Sequence, residues 1–209
     1  YVVLMAMLAL NVSSDVLEGF SLVDEGLNRS KENSSMQNEA IYKELEAAMK
    51  RNPEKTRQWY EKAQLVRKMS DSLYMFAEDL KWEIVRDVDG DDADLENIEG
   101  RDNLEAATHV MLAPGVGKGD DLKRAIESYR DGITQMINDK QQKEIIQSNL
   151  TTEVPKKAKM MGKNWQEYMF ENTPVAAAVT LLTKLQTDVR YAEGEMLHQL
   201  VANIDVKDV

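Results

Sequence analysis

Apolar residues in this chain recur at intervals of three and four, which is the spacing of one face of an α-helix. The first ten residues, YVVLMAMLAL, hold no charge, glycine or proline, and the helical spacing continues through Val12, Val16, Phe20, Val23 and Leu27. A helix needs about 20 apolar residues to span a membrane. The pattern therefore predicts the outer part of a span that starts before Tyr1 and leaves the membrane as one helix.

Two other interpretations of Tyr1–Leu10 stay open on the sequence alone. The segment resembles the apolar core of a signal peptide, although the nearest cleavage pair, Met7 and Ala9, fits the small-residue rule poorly. An apolar run of this length is also typical of a buried helix in a soluble protein.

The next part of the chain predicts two helices separated by a proline. Residues 28–35 (NRSKENSS) are polar and predict a loop or a loose helical turn, and Ser34 and Gln37 have the spacing of a capping box that starts a second helix. The helix that follows ends at Asn52, which can cap a long helix from Pro53 to about Arg86. The buried seam of that long helix is predicted to be Ala63, Val66, Ser70, Leu73, Ala77, Leu80 and Ile84.

The second half of the chain predicts three further segments. A short helix is expected from about Asn103 to Met111, and a longer one capped by Asp120 or Asp121 has core positions at Leu122, Ile126, Tyr129, Ile133 and Met136. Residues 151–172 predict an irregular connection with Trp165, Tyr168 and Phe170 packed on the bundle. The last helix begins at Thr173-Pro174, with its seam at Ala178, Leu182, Leu185, Val189, Ala192, Met196 and Asn203.

These elements predict an all-α protein in which an N-terminal transmembrane helix continues into an elongated antiparallel helical bundle. Residues 1–14 are expected to be the end of the membrane helix, and residues 15–203 the bundle. Residues 204–209 turn toward alternation, so they predict a strand-like start of a linker to a further β-rich domain.

Composition agrees with a helical fold and excludes some functions. Glycine (10) and proline (4) are sparse, and aromatic residues make up 6% of the chain. The net charge of −11 argues against nucleic acid as a partner, because phosphate binding requires clustered Lys and Arg. No cysteine is present, which excludes disulfides, thiol nucleophiles and Cys-ligated metals.

Four lysines form one basic patch in this acidic chain: Lys156, Lys157, Lys159 and Lys163. Such a patch can meet an acidic partner or lipid headgroups, and more often it is a solvated loop.

The acidic segment from Asp87 to Asp94 resembles a calcium loop, because Asp87, Asp89, Asp91 and Asp94 supply closely spaced oxygen ligands. The stricter pattern fails, since the sixth position is Asp92 instead of Gly and the twelfth is Ile98 instead of Glu. A solvated acidic loop is the simpler interpretation.

Other catalytic and binding motifs also fail. GVGKGDD at 115–121 resembles a phosphate loop, but Leu112 stands where the first Gly belongs and Gly119 replaces the Ser or Thr that holds magnesium. His109 and His198 have no ligand at helical zinc spacing, and no Gly-x-Ser-x-Gly elbow occurs. The sequence therefore predicts no enzyme, no cofactor and no metal site.

Two stretches resemble a known family. LMAMLALNVSSDVLEGFSLVDEGL at 4–27 and ENTPVAAAVTLLTKLQTDVRYAEGEMLHQL at 171–200 closely resemble the GldM/PorM family of Bacteroidota, and the KGDDL turn at 118–122 lies between them in the expected order. The resemblance covers the whole chain.

The resemblance implies a component of the type IX secretion and gliding machinery. It would be held in the bacterial inner membrane by one N-terminal helix and project through the periplasm as a homodimer. Its membrane helix would sit inside a ring of GldL/PorL transmembrane helices, as part of a motor driven by the proton-motive force. Downstream domains would carry motion to outer-membrane-associated ring proteins. The short cytoplasmic N-terminus of the family, with its basic residue, is absent from the sequence given.

On this resemblance two sets of contact residues are expected. The ring-facing residues of the membrane helix are Tyr1, Leu4, Met5, Leu8 and Val12. The dimer contacts are Val16, Phe20, Val23 and Leu27. Lipid-facing positions and packing inside the bundle are the alternative interpretations of the same residues.

A periplasmic sensor bundle of the chemoreceptor type is the alternative from another class of protein. It would also be anchored, helical and acidic. Such a receptor would have a second membrane span after its bundle, whereas this chain runs from Leu200 into polar residues.

Overall fold

The computed structural model describes residues 12–207 of the chain, with side chains described through residue 204. Four of the predicted ring-facing residues, Tyr1, Leu4, Met5 and Leu8, lie outside the described residues. Within that range every regular element is helical, which confirms the all-α class and agrees with a helical bundle. None of the helices in the same range is long and apolar enough to cross a membrane.

Four helices are long: α1 (Ser14–Arg51), α2 (Pro53–Asp89), α4 (Gly119–Met136) and α8 (Val175–Lys207). The shorter ones are α3 (Ala106–Leu112), α5 (Lys140–Asn149), α6 (Lys156–Met160) and α7 (Trp165–Phe170), and a 3-10 turn covers Gly90–Asp92. Helix α1 ends and α2 begins at the predicted boundary. Asn52 caps α2, since its side chain accepts a hydrogen bond from the Lys55 N–H.

The chain divides into two compact units, which we call unit 1 and unit 2. Unit 1 contains Tyr1–Leu27, Ala77–Lys123 and Glu153–Lys184. Unit 2 contains Asn28–Phe76, Arg124–Thr152 and Leu185–Val209. Each of the helices α1, α2, α4 and α8 therefore contributes residues to both units.

In unit 1 the start of α8 is fixed by the segment before α3. The N–H groups of Val175 and Ala176 donate to the carbonyls of Asn103 and Arg101, at 3.0 and 3.1 Å. The first N–H groups of a helix have no partner inside the helix, so these carbonyls act as a backbone cap. The apolar core of this unit contains Leu80, Ile84, Met111, Phe170, Val175, Val179 and Leu182.

In unit 2 apolar residues from five helices form the core. The residues are Leu45 of α1, Ala63 and Val66 of α2, Ile133 of α4, Ile146 of α5, and Val189, Leu197 and Leu200 of α8. All seven positions of the predicted α2 seam are buried across the two units, so the heptad spacing correctly identified the inner face of α2.

The break predicted at residues 28–35, a loop or a loose helical turn before a second helix, is wrong, because α1 is continuous through it. One polar residue of this stretch and one just after it are buried and bonded to α8 in unit 2. The Lys31 Nζ donates to the Gln186 Oε1 at 3.3 Å, and the Asn38 Nδ2 donates to the Arg190 carbonyl at 3.0 Å. Residues 28–51 contain no glycine or proline, so nothing local ends the helix.

Three smaller predictions are also wrong. The N-cap position of α4 is Lys118, whose carbonyl accepts the Leu122 N–H, so Asp120 and Asp121 lie inside the first turn. Residues 151–172 contain α6 and α7 in place of an irregular connection. The strand predicted from the alternation near the C-terminus is helical, because α8 continues to Lys207.

The aromatic residues of α7 have different environments. Asn164 and Glu167 form a capping box at its start. The rings of Trp165 and Phe170 meet edge to face with centroids 6.0 Å apart, and both residues are buried. Tyr168 is 45% exposed, so its predicted packing on the bundle is wrong.

Phe170→Ala is expected to lower the free energy of unfolding by about 3–5 kcal/mol, because it empties a fully buried position and removes the contact with Trp165. Tyr168→Ala in the same helix is the matched control and should cost less than about 1 kcal/mol. Urea unfolding followed by circular dichroism measures both values. Equal costs would contradict the assignment of Phe170 to the core.

Candidate functional site

The acidic segment after α2 uses its carboxylates to fold the backbone. Asp89 accepts hydrogen bonds from the N–H groups of Glu99 and Gly100, each at 2.9 Å. Asp94 accepts from the Glu96 N–H at 3.0 Å. Among the residues that the structure describes, no group of three or more His, Asp or Glu side chains is arranged to hold a metal ion. The segment therefore has the geometry of a self-capped turn.

The glycine-rich turn before α4 is also used for packing. A Cβ at Gly117 or at Gly119 would lie 2.7 Å from the Met111 carbonyl oxygen, so both positions need glycine. The Lys118 ammonium forms an ion pair with Glu83. In a phosphate loop this lysine would face the nucleotide, whereas here it joins the turn to α2.

The two histidines do not meet. The Nδ1 of His109 lies 2.9 Å from the Asp87 carboxylate, and both residues are near the surface of unit 1. His198 lies on an exposed position of α8 in unit 2. The contact of His109 with Asp87 joins α3 to the last turn of α2.

Unit 2 contains a cluster of buried polar groups that the sequence did not predict. We call it the Arg190 network, and it consists of Arg190, Glu193, Asp71, Tyr42, Asn38 and Tyr74. The Arg190 Nη1 lies 2.9 Å from Glu193 and 3.0 Å from Asp71. Glu193 is 1% exposed, and its carboxylate also accepts hydrogen bonds from the Tyr42 hydroxyl at 2.6 Å and from the Asn38 Nδ2 at 3.1 Å.

The aromatic ring of Tyr74 and a third tyrosine, Tyr129, support this network. The guanidinium of Arg190 lies 4.0 Å from the centre of the Tyr74 ring, a cation–π contact. The buried Tyr129 hydroxyl donates to the Val189 carbonyl at 3.2 Å, so the Ser70 hydroxyl must donate to Tyr129, at 2.8 Å. Helices α1, α2, α4 and α8 are thereby joined by directional bonds at one level of unit 2.

Arg190 keeps its positive charge in this network. Burial by itself lowers the pKa of Arg190, but the carboxylates of Glu193 and Asp71 outweigh that effect and the net pKa is raised. Arg190 is therefore charged at any physiological pH. Its Nε is buried without a hydrogen-bond partner. These groups have the arrangement of a structural ion pair, and no metal-ligating cluster accompanies them in the described part of the chain.

The sequence contains only a weak signal for this network. Arg190 and Glu193 interrupt the apolar face of α8 three residues apart, and the residues they bind lie 119 to 155 positions away. Separations of that size are invisible to local periodicity.

The predicted dimer contacts lie along one strip at the start of α1. Val16 and Val23 are 50% and 54% exposed, and Phe20 and Leu27 are half-buried. A Cβ at Gly19 would meet nothing within 4 Å, so the backbone between them is open. Spacings of three, four and seven residues place these positions on one face. Val12, the one described member of the predicted ring-facing set, is half-buried just before α1.

The stability of the chain is expected to fall above pH 10. Burial, followed by the nearby Glu193 carboxylate, raises the pKa of Tyr42 above its ordinary value of 10.0, and burial raises the pKa of Tyr129. The folded chain therefore keeps these protons after the unfolded chain has lost them. This stability is complete below about pH 10 and decreases above it by about 1.4 kcal/mol per pH unit for each tyrosine.

Tyr42→Phe removes one of these two groups, so it should reduce the slope of stability against pH by about 1.4 kcal/mol per unit. Urea unfolding at several pH values on either side of the ordinary tyrosine pKa measures the slope for both proteins. The comparison does not depend on how much the variant loses at neutral pH. Identical slopes would contradict the burial of the Tyr42 hydroxyl against Glu193.

Comparison with known proteins identifies the family. A search of curated proteins finds no match to the chain. The family model described as GldM N-terminal domain matches residues 15–203, from the first turn of α1 to the last turns of α8. This match covers most of the chain and confirms the resemblance inferred from its first and last helices. The chain therefore belongs to the GldM family, of which residues 15–203 are the N-terminal domain.

Proposed function

We propose that this chain is the non-enzymatic shaft of an inner-membrane motor that is driven by the proton-motive force and powers type IX secretion and gliding. Membership of the GldM family associates the chain with gliding motility and type IX secretion. The finer role is an inference from the helices. A shaft has to carry force over a distance without bending, and it needs no reactive group.

The observation that carries this proposal is the continuity of α1. This helix has 38 residues, which corresponds to a length of about 57 Å. It begins at Ser14, four residues after the apolar stretch Tyr1–Leu10. A loop at residues 28–35 would have made a flexible joint, and the helix that replaces it can transmit rotation or tilt. An anchor alone would tolerate such a joint.

Polar contacts hold α1 in place in both units. In unit 1 the Arg101 guanidinium contacts Ser21 at 3.3 Å and Glu18 at 3.4 Å, and the Thr180 hydroxyl lies 3.3 Å from the Phe20 carbonyl. In unit 2 the corresponding contacts are those of Lys31, Asn38 and Tyr42 with α8. Directional bonds of this kind resist sliding of α1 along α8 better than apolar contacts alone.

On this proposal the segment before α1 lies in the inner membrane and the two units lie in the periplasm. The membrane helix would meet a ring of GldL/PorL-type transmembrane helices through Tyr1, Leu4, Met5, Leu8 and Val12. Domains downstream of this one would contact outer-membrane-associated ring proteins.

We further propose that the chain is a homodimer whose two copies meet along Val16, Phe20, Val23 and Leu27. The exposed valines support this proposal, because two large apolar residues one heptad apart on a helix are typical of a helix–helix seam. The strip follows directly on the membrane segment, so two anchored copies would be close enough to pair.

Val23→Glu is expected to dissociate the dimer, because it places a carboxylate in the apolar strip of both copies. Leu22→Glu is the matched control: Leu22 is 61% exposed, precedes Val23 in sequence and lies about 100° around α1 from it, off the strip. Native mass spectrometry of the detergent-solubilised chain gives the mass of each. Dissociation by both variants, or by neither, would exclude this strip as the seam.

Leu8→Asp is expected to abolish secretion and the copurification of a small multi-span membrane protein from the neighbouring genes, because a charge in a tightly fitting ring is costly. Circular dichroism should show that the bundle stays folded. Met36→Asp, at a position 70% exposed in unit 2, should leave secretion and copurification unchanged. Unchanged secretion with Leu8→Asp would contradict the ring contact, and absence of any multi-span protein from the wild-type complex would favour a sensor bundle.

A further inference from the structure

We propose that the segment around α6 binds the headgroups of an anionic lipid bilayer. This proposal rests on the proposed function, since it requires the chain to be anchored at a membrane. The segment 154–166 (VPKKAKMMGKNWQ) carries four lysines and no acidic residue, in a chain whose net charge is −11. Lys156, Lys157 and Lys159 are exposed. Lys163 is partly covered and lies 3.5 Å from Glu171.

Exposed apolar side chains stand beside these lysines. Met160 and Met161 are 81% and 68% exposed, and Tyr168 on α7 is 45% exposed. A single exposed methionine does not indicate a binding surface. Two adjacent methionines among lysines, however, can contact both the charged headgroups and the apolar acyl region of a membrane. The ammonium groups match lipid phosphates, and the thioether chains reach the boundary of the acyl region.

The backbone holds the methionines in a fixed turn. Gly162 ends α6 with φ of +77°. The Lys163 N–H donates to the Ala158 carbonyl at 3.2 Å, and the Gly162 N–H donates to the Lys159 carbonyl at 3.0 Å. These two bonds make a Schellman motif. Ala158 and Trp165 are buried on either side of the turn, so it is anchored in unit 1 and presents the methionines to solvent.

A chain of contacts within unit 1 joins this turn to the beginning of α1. Lys163 pairs with Glu171, and the Ala176 N–H, at the start of α8, donates to the Arg101 carbonyl. The Arg101 guanidinium then contacts Ser21 in the second turn of α1. The apolar stretch Tyr1–Leu10 precedes α1 in the sequence. These contacts connect the basic turn, through residues 171–176, to the end of α1 that follows the apolar stretch.

A lipid surface fits the basic turn better than an acidic protein does, because the proposed membrane anchor keeps the turn close to the bilayer. The bilayer is always within reach of an anchored domain, so a weak contact suffices. Each lysine near an anionic surface contributes a modest attraction that salt weakens. Three solvated lysines and two exposed methionines fit a contact of this strength, which would limit tilting of the domain on the membrane.

The absence of cysteine allows a site-specific test in the full chain. Met160→Cys is labelled with an environment-sensitive fluorophore, and the protein is reconstituted in nanodiscs that contain spin-labelled lipid. In discs of phosphatidylglycerol and phosphatidylcholine we expect blue-shifted emission and quenching, and in discs of phosphatidylcholine alone we expect neither. The same label at Met36→Cys in unit 2, a position 70% exposed, should remain unquenched in both.

The lysines are tested by replacing Lys156, Lys157 and Lys159 together with Gln. This change should lower the ratio of bilayer-bound to unbound states of the basic turn by about a hundredfold. Replacing the exposed lysines 43, 50 and 55 of unit 2 with Gln changes the net charge by the same amount and should leave quenching at position 160 unchanged. Equal effects of the two triple variants would overturn the proposal.

Two further results would overturn it. Quenching at position 160 that is the same in phosphatidylcholine alone would exclude headgroup charge as its cause. Quenching that appears only after a ring protein is added would assign the turn to a protein contact. A label at Met5→Cys separates this inference from the proposed function: if position 5 is quenched and position 160 is not, the anchor stands and only the bilayer contact fails. If neither position is quenched, the result excludes both the proposed membrane anchor and the bilayer contact.

Discussion

The burial of the Glu193 carboxylate constrains unit 2 more than any other feature of the structure. A charge that is 1% exposed must find partners, and removing one partner of a buried ion pair costs about 3–5 kcal/mol. The partners come from three helices: Asn38 and Tyr42 from α1, Arg190 from α8, and Asp71 from α2 through Arg190. A shift of α1 against α8 by one residue would break the bonds of Asn38 and Tyr42 to Glu193 together. The carboxylate thus sets the register of the helices, whereas the apolar core supplies most of the burial.

The same contacts explain why the polar part of α1 is a helix. Lys31 lies in the stretch 28–35, whose composition is typical of a loop, and Asn38 follows three residues later. Both become buried because α8 offers Gln186, Arg190 and Glu193 at the matching level. The information that makes this stretch helical is therefore held about 155 residues away. The seam of α2 is different, because its apolar residues repeat every three or four positions within the helix itself. Local spacing was sufficient to identify all seven of its positions.

The same difference between local spacing and long-range contacts applies to the candidate surfaces. Spacing along α1 groups Val16 and Val23 on one strip, and the structure places both in solvent, yet an inner face and a dimer seam have the same period. Only the fold shows whether such a strip is buried or exposed to solvent. Trp165, Tyr168 and Phe170 make the same point over six residues. All three have aromatic side chains in one short helix, but only Trp165 and Phe170 are buried.

On the proposed function, the Arg190 network is useful to the chain even if the network adds little to stability. Replacing a buried ion pair with well-packed apolar residues is often neutral or stabilising, so the network is hard to explain by folding energy alone. Apolar contacts are non-directional, and helices held only by them can slide or rotate under load at small cost. Hydrogen bonds to Glu193 at 2.6 to 3.1 Å lose their energy over a fraction of an ångström, so they oppose small displacements of α1 against α8. On the proposed function, resistance to such displacement matters more than the total free energy of unfolding.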